Sequence, residues 1–326
     1  MANTKNIISN ILRIGLAVSL IAYLIYSGAI DWKFLSGLFV SWHFTAVALL
    51  GFFLLHFIIA YRLKILIDAH GLRLDFFPAV RLTFIGLFFN TYLPGAQGGD
   101  LVKIYYASKG NPGKRAEIIT IMIFDRIIGM FSLFVTPLLL APFFYSDISG
   151  NAALQGLLLI TGGVSLGVVV CVVIGLKMDV EQGRLFVWLY TTLPKGDLLK
   201  RILVTIHSYR HNKKQVLLAV MLSVSMQTLV IGSMLFIAAA ILPGGADARM
   251  AILIPMGFLA TALPITPGGI GVGEAALDGL FNLFGLHGGA ELLLGWRLLM
   301  VLLGMIGLYY YIRADTRFIH HDVDAR

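Results

Sequence analysis

The chain reads as an all-α polytopic membrane protein, with about six full transmembrane helices and two re-entrant helical hairpins in an inverted-topology repeat. Three observations predict this. Of the 326 residues, 58% are hydrophobic and 13% charged, and mean hydropathy is +0.87, whereas soluble domains run nearer half apolar and a quarter charged. Several apolar runs exceed the roughly 20 residues that cross a bilayer. One unusual event also occurs twice: an apolar segment collapses into a Pro/Gly turn that ends in a carboxylate. It occurs at Leu93-Pro94-Gly95-Ala96-Gln97-Gly98-Gly99-Asp100 and again from Leu263-Pro264 through Pro267-Gly268-Gly269-Ile270-Gly271-Val272-Gly273-Glu274.

Taken in order, hydropathy predicts a first span over about 7–30 and a second over about 42–61. The first could instead be a signal peptide, with Ser27-Gly28-Ala29 as a small-residue cleavage site, but its uninterrupted length favours a span. A shorter segment, 78–93, runs into the first break. Full spans follow over about 118–141, 152–176 and 215–242. A second short segment, 250–263, runs into the second break, and the last span covers about 291–312. Pro94 and Pro264 lie 170 residues apart (264 − 94), and Arg126 and Arg297 lie 171 apart (297 − 126). These matched spacings divide the chain into a first membrane repeat, 1–145, and a second, 146–326, which includes a cytoplasmic loop over 177–214. Paired Gly/Pro breaks in two halves of a transporter point to its substrate site.

Loop charges set the orientation. Arg62, Lys64, Arg73 and Arg81 flank one connection; Lys103, Lys109, Lys114 and Arg115 lie in the next; Arg313, Arg317 and Arg326 close the chain. The connections at 31–41, 142–151 and 243–250 carry only Lys33 and Arg249. Lys/Arg excess marks the cytoplasmic side, so a cytoplasmic (inner) membrane protein with both termini cytoplasmic is expected. The loops on both sides of the first short segment are basic, and those around the second are not. The rule holds if each break is a hairpin that returns to its own side, the first from the cytoplasm and the second from outside. Irregular backbone at membrane depth needs protein or a wet cavity around it, so the two turns are expected to meet inside the protein.

The net charge of +8 suggests nucleic acid, but its placement follows the membrane, and no nucleic-acid partner is expected. Within 197–214, Leu198, Leu199, Ile202, Leu203 and Ile206 share a helical face, while Lys200, Arg201, Arg210, Lys213 and Lys214 supply charge. Such a helix can lie along an anionic leaflet, or it can be a solvated connector that obeys the charge rule. The single Cys171 excludes an intramolecular disulfide or cysteine metal cluster, and the eight histidines show no ligand spacing.

Charged side chains inside spans cost about 2.5–3.5 kcal/mol each. Asp125, Arg126 and Arg297 bear that cost, unless the arginines snorkel to an interface. Asp125 and Arg126 are adjacent and point to different helix faces, so Arg126 is expected to face Asp100, Glu274 or a bound anion. Glycine lets backbone approach a ligand closely, and helix N-termini carry partial positive charge. Gly98, Gly99, Gly268, Gly269 and Gly271 therefore suit an anionic headgroup, with Arg126 and Arg297 supplying planar forks for its phosphate. Asp100 and Glu274 open the returning helices, where they either cap the dipole or couple charge through an arginine or a proton; Asp125 belongs with them. The string Gly269-Ile270-Gly271-Val272-Gly273 follows no strand and lacks the Lys of a P-loop. With no ATP motif, no cofactor or metal is expected, and energy, if used, comes from an ion or lipid gradient.

Asn90-Thr91-Tyr92-Leu93-Pro94 through Gly98-Gly99-Asp100, with Asp125-Arg126 and Pro264 through Gly271-Val272-Gly273-Glu274, resembles the lysylphosphatidylglycerol synthase transmembrane family over nearly the whole chain. That family includes the flippase domain of the bacterial multiple peptide resistance factors. The resemblance implies lipid translocation between leaflets and adds Asn90 to the substrate site. In fused members a cytoplasmic aminoacyltransferase makes the lysyl-lipid. The sequence ends at Arg326, so a separate synthase or glycosyltransferase is the expected partner. Related stand-alone or archaeal proteins, associated with glycosylation and polyprenyl-phosphate pathways, widen the substrate to a phospholipid or a polyprenyl-phosphate-linked lipid. The alternatives are a membrane-embedded lipid or glycolipid transferase subunit and a small-solute secondary transporter. Against the transferase, the sequence lacks a DxxD-type metal cluster and HExxH.

Overall fold

Among the described residues, helices form where the apolar runs predict them; the computed structural model describes residues 32–92, 98–109, 112–177, 200, 204, 206–262 and 265–313. In chain order they are α1 (Trp32–Val40), α2 (Trp42–Asp68), α3 (Phe76–Tyr92), α4 (Gly98–Lys109), α5 (Arg115–Leu140), α6 (Tyr145–Ser149), α7 (Ala152–Lys177), α8 (Lys213–Ile241), α9 (Met250–Thr261), α10 (Val272–Asn282) and α11 (Gly289–Ile312). Five are long and apolar enough to cross a membrane: α2, α5, α7, α8 and α11. With no strand among the described residues, the fold is all-α and polytopic. The expected first span, most of the amphipathic stretch, and the turn residues 93–97 and 263–264 lie outside the described residues.

Two short helix pairs interrupt the spans. α4, α9 and α10 have 12, 12 and 11 residues, below the roughly 17–25 of a spanning helix. α3, with 17, sits at that limit. α3 packs on α4 and α9 on α10. A Cβ on Gly99 would strike Asn90, and one on Gly86 would strike the Lys103 stem. In the second pair Gly273 abuts Thr261, and Gly257 abuts Leu277. Positions 90 and 86 therefore oppose 99 and 103, as 261 and 257 oppose 273 and 277. Both pairs are antiparallel hairpins in one shared register.

The pairs then exchange partners. α3 of the first hairpin lies on α11, which follows the second; α9 of the second lies on α5, which follows the first. α2 and α8, which lead into the two hairpins, pack on each other. Small residues permit these approaches: Gly51 sits against Ser233, and Gly307 against the Phe84 carbonyl. Lipid tails are as apolar as leucine, so such close packing, not burial from water, drives helix association in a membrane. α7 packs on α5 and the short α6, and it is the least buried of the five candidate spans.

Three expectations change. The connection at 31–41 contains a nine-residue helix, α1, which packs on α8 and α2; a helix that short falls below the length that a hydropathy window detects. The second span continues seven residues past Tyr61, to Asp68, because Leu63, Ile65, Leu66 and Ile67 prolong the apolar run. Arg62 and Lys64 are therefore helical, and Arg62 is buried. The described end of the basic stretch packs on protein: Ile206 is buried, and the ring of Tyr209 stacks on Phe124 at 4.3 Å. Asn212 donates to the Ala69 carbonyl at 2.7 Å.

Candidate functional site

Each hairpin delivers its carboxylate to the arginine of the next long helix. In the first half α4 begins at Gly98, and Asp100 falls in its first turn. Arg126 Nη1, on α5, donates to Asp100 Oδ2 at 2.6 Å. Lys103, one turn along α4, donates to Asp100 Oδ1 at 3.4 Å. Asn90 Oδ1 accepts the Gly99 N–H at 2.8 Å, so a side chain of the incoming arm caps the returning helix. Gly99 is buried at that crossing, where no Cβ fits.

The second half repeats the pairing with more bonds. Glu274 Oε1 accepts from Arg297 Nε at 2.5 Å, and its Oε2 accepts the Gly271 N–H at 2.7 Å. Arg297 Nη1 donates to the Gly268 carbonyl at 3.1 Å, and Arg297 Nη2 is buried without a hydrogen-bond partner among the described residues. The Trp296 ring lies 5.8 Å from the guanidinium carbon, within cation–π range. Gly268 (φ 65°) and Gly271 (φ 81°) hold left-handed backbone, which side-chain-bearing residues adopt only with strain. That conformation aims the Gly268 carbonyl and the Gly271 N–H at the ion pair. Gly269 packs against the Thr261 backbone.

The alternatives of capping and pairing are thus not exclusive, since Glu274 does both. Asp100 and Arg126 form one pair, Glu274 and Arg297 the other. Side-chain exposure separates them: 30% and 38% for Asp100 and Arg126, against 0% and 20% for Glu274 and Arg297.

Asp125 belongs to neither. Its Oδ1 accepts from Arg62 Nε at 2.7 Å, and Arg62 Nη1 donates to Ser223 Oγ at 2.7 Å. This buried cluster ties α2, α5 and α8 together. One turn further along α8, Gln227 Nε2 donates to Ser132 Oγ of α5 at 3.0 Å. Arg62 and Lys103 went unnoticed in the sequence because both read as loop charges. The available signal for Arg62 was the apolar run continuing beyond it.

An apolar cleft of about 100 Å³ opens between α5, α7 and α8, lined by Phe124, Ile128, Val169, Val173, Val216 and Val220 among others. It offers no polar side chain.

Comparison with known proteins agrees with this architecture. The model of the lysylphosphatidylglycerol synthase TM region matches residues 10–313. No curated protein and no solved structure matches the chain. The matched region covers both hairpins, both arginine–carboxylate pairs and all five candidate spans, and it points to a membrane lipid-related function. The chain, a multi-pass membrane protein, belongs to the lysylphosphatidylglycerol synthase transmembrane family.

Proposed function

We propose that this protein translocates a phospholipid or polyprenyl-phosphate-linked lipid between the leaflets of the cytoplasmic membrane. One observation carries the reading: two antiparallel Pro/Gly-turned hairpins in one register each return a carboxylate onto an arginine of the following helix. Such a pair is a natural competitor for a headgroup phosphate. A guanidinium held by a carboxylate pays little to stay at membrane depth, and a phosphate that replaces the carboxylate keeps it neutralised. Asp100 and Glu274 thereby bias the opening of a polar slot flanked by Gly98, Gly99, Gly268, Gly269 and Gly271. The apolar cleft between α5, α7 and α8 supports a lipid over a small solute, because its walls suit an acyl chain and nothing polar.

The charge pattern supports hairpins that enter from opposite sides, cytoplasmic termini and an inverted repeat of 1–145 and 146–326. A separate synthase or glycosyltransferase would supply the lipid, and the charges of the basic stretch 197–214, whose described end packs on the protein, would face the anionic leaflet.

Reconstituted vesicles carrying a fluorescent lipid test the reading by external quenching. Wild type should expose inner-leaflet lipid, Arg126→Ala should abolish this while the amount of folded protein holds, and Arg126→Lys should restore it only in part, since a point charge lacks the fork. Wild-type rates from Arg126→Ala would remove the phosphate role from this arginine.

A further inference from the structure

The two ion-pair sites differ in charge, and the difference lies in one residue. We infer that only the first site binds the anion, that Lys103 sets its specificity, and that the ligand is a phosphodiester with one net negative charge. This deepens the translocation reading and rests on it.

At the first site Asp100 is shared by Lys103 and Arg126, which among the described residues leaves one positive charge unmatched. At the second, Glu274 matches Arg297 and the site is neutral. Arg62 and Asp125 also cancel. An unmatched cation inside a membrane protein is costly, and an anion completes it.

Packing does not require the lysine. Lys103 lies over Gly86 in the first hairpin, where the second hairpin places Leu277 over Gly257. The same register is thus filled by an apolar residue in the other half, and the charge at 103 serves something besides the crossing.

Access follows the charge. Arg126 is 38% exposed, and among the described residues one hydrogen bond, to Asp100, engages its five donors. Arg297 makes two hydrogen bonds, and one of its donor atoms, Nη2, is buried without a partner among the described residues. Its charge is already matched, so that atom calls for a neutral acceptor such as a water or a hydroxyl. One excess charge pairs with the single charge of a phosphodiester. A headgroup whose phosphate is offset by its own amine, as in phosphatidylcholine or an aminoacylated lipid, gains less.

The test uses the full chain in detergent and reads thermal stabilisation against the concentration of dihexanoyl phosphatidylglycerol or dihexanoyl phosphatidylcholine. Wild type should prefer the glycerol lipid. Lys103→Leu, which copies the second hairpin, should weaken that lipid about tenfold, the loss of one hydrogen bond to a charged group, and leave the choline lipid unchanged. Lys103→Arg should retain the preference. If Lys103→Leu does not fold, Lys103→Gln makes the same comparison. Equal response of wild type to both lipids, or a preference that survives Lys103→Leu and Lys103→Gln, would overturn the inference. Dimethyl phosphate separates the source. If it stabilises wild type as well as the lipid does, the anion site stands, but it serves a soluble solute and the translocation reading falls. Vesicle assays separate the two claims again: lipid preference without translocation removes the proposed function alone, and translocation without preference removes this inference alone.

Discussion

The two hairpins share a backbone plan and differ in what they do with it. Positions 86, 90, 99 and 103 of the first correspond to 257, 261, 273 and 277 of the second, and each presents a carboxylate to an arginine. The second pair is enclosed: Glu274 is fully buried, caps its own helix and holds Arg297, which also reaches the Gly268 carbonyl. The first is about a third exposed and carries an additional lysine. Packing at the helix crossings explains what is common, because glycines opposite fixed partners leave one register. The side chains explain what differs. One half has a closed, neutral latch, and the other has an open site with a charge to spare.

Removing each arginine should separate the halves most widely. Arg297→Ala leaves a fully buried carboxylate without its cation, a change that costs about 3–5 kcal/mol in buried pairs. Arg126→Ala breaks a pair in the exposed class, worth about 0–1 kcal/mol. Thermal melts in detergent should show a large fall for the first variant and a small one for the second. Equal falls would erase the distinction between latch and open site.

Neutralising the carboxylates is a gentler probe. Glu274→Gln keeps an oxygen for the Gly271 N–H but leaves Arg297 unmatched, a loss of about 1–3 kcal/mol for a buried bond to a charge; translocation should fall sharply while expression holds. Asp100→Asn should cost less than about 1 kcal/mol. It should also tighten anionic-lipid binding, because the first site then carries two unmatched charges. Near-normal translocation by both variants would return Asp100 and Glu274 to plain helix caps.

Much of this was legible in the chain. Hydropathy placed the long helices, since each must present an apolar surface to lipid regardless of its neighbours. The Pro/Gly breaks located both hairpins and the carboxylates that open their returning arms. The spacing to Arg126 and Arg297 limited which groups could meet. Tertiary register hid the rest. Arg62 finds Asp125 63 residues away, a partner set by how α2 crosses α5, and Lys103 looked like a loop charge because α4 is short and its far end is polar. The dual bonding of Glu274 depends on left-handed glycines, whose backbone aims atoms that a pattern of residue types does not reveal.

Cysteine accessibility in oriented vesicles, on a Cys171→Ser background, tests most directly whether the hairpins return to opposite sides. Asp75→Cys and Asn111→Cys flank the first hairpin; Ala246→Cys and His287→Cys flank the second. The first two should label together from the cytoplasmic face and the last two together from the outer face. Labelling of Asp75→Cys and Asn111→Cys from opposite faces would make the first hairpin a full crossing and contradict the inverted repeat.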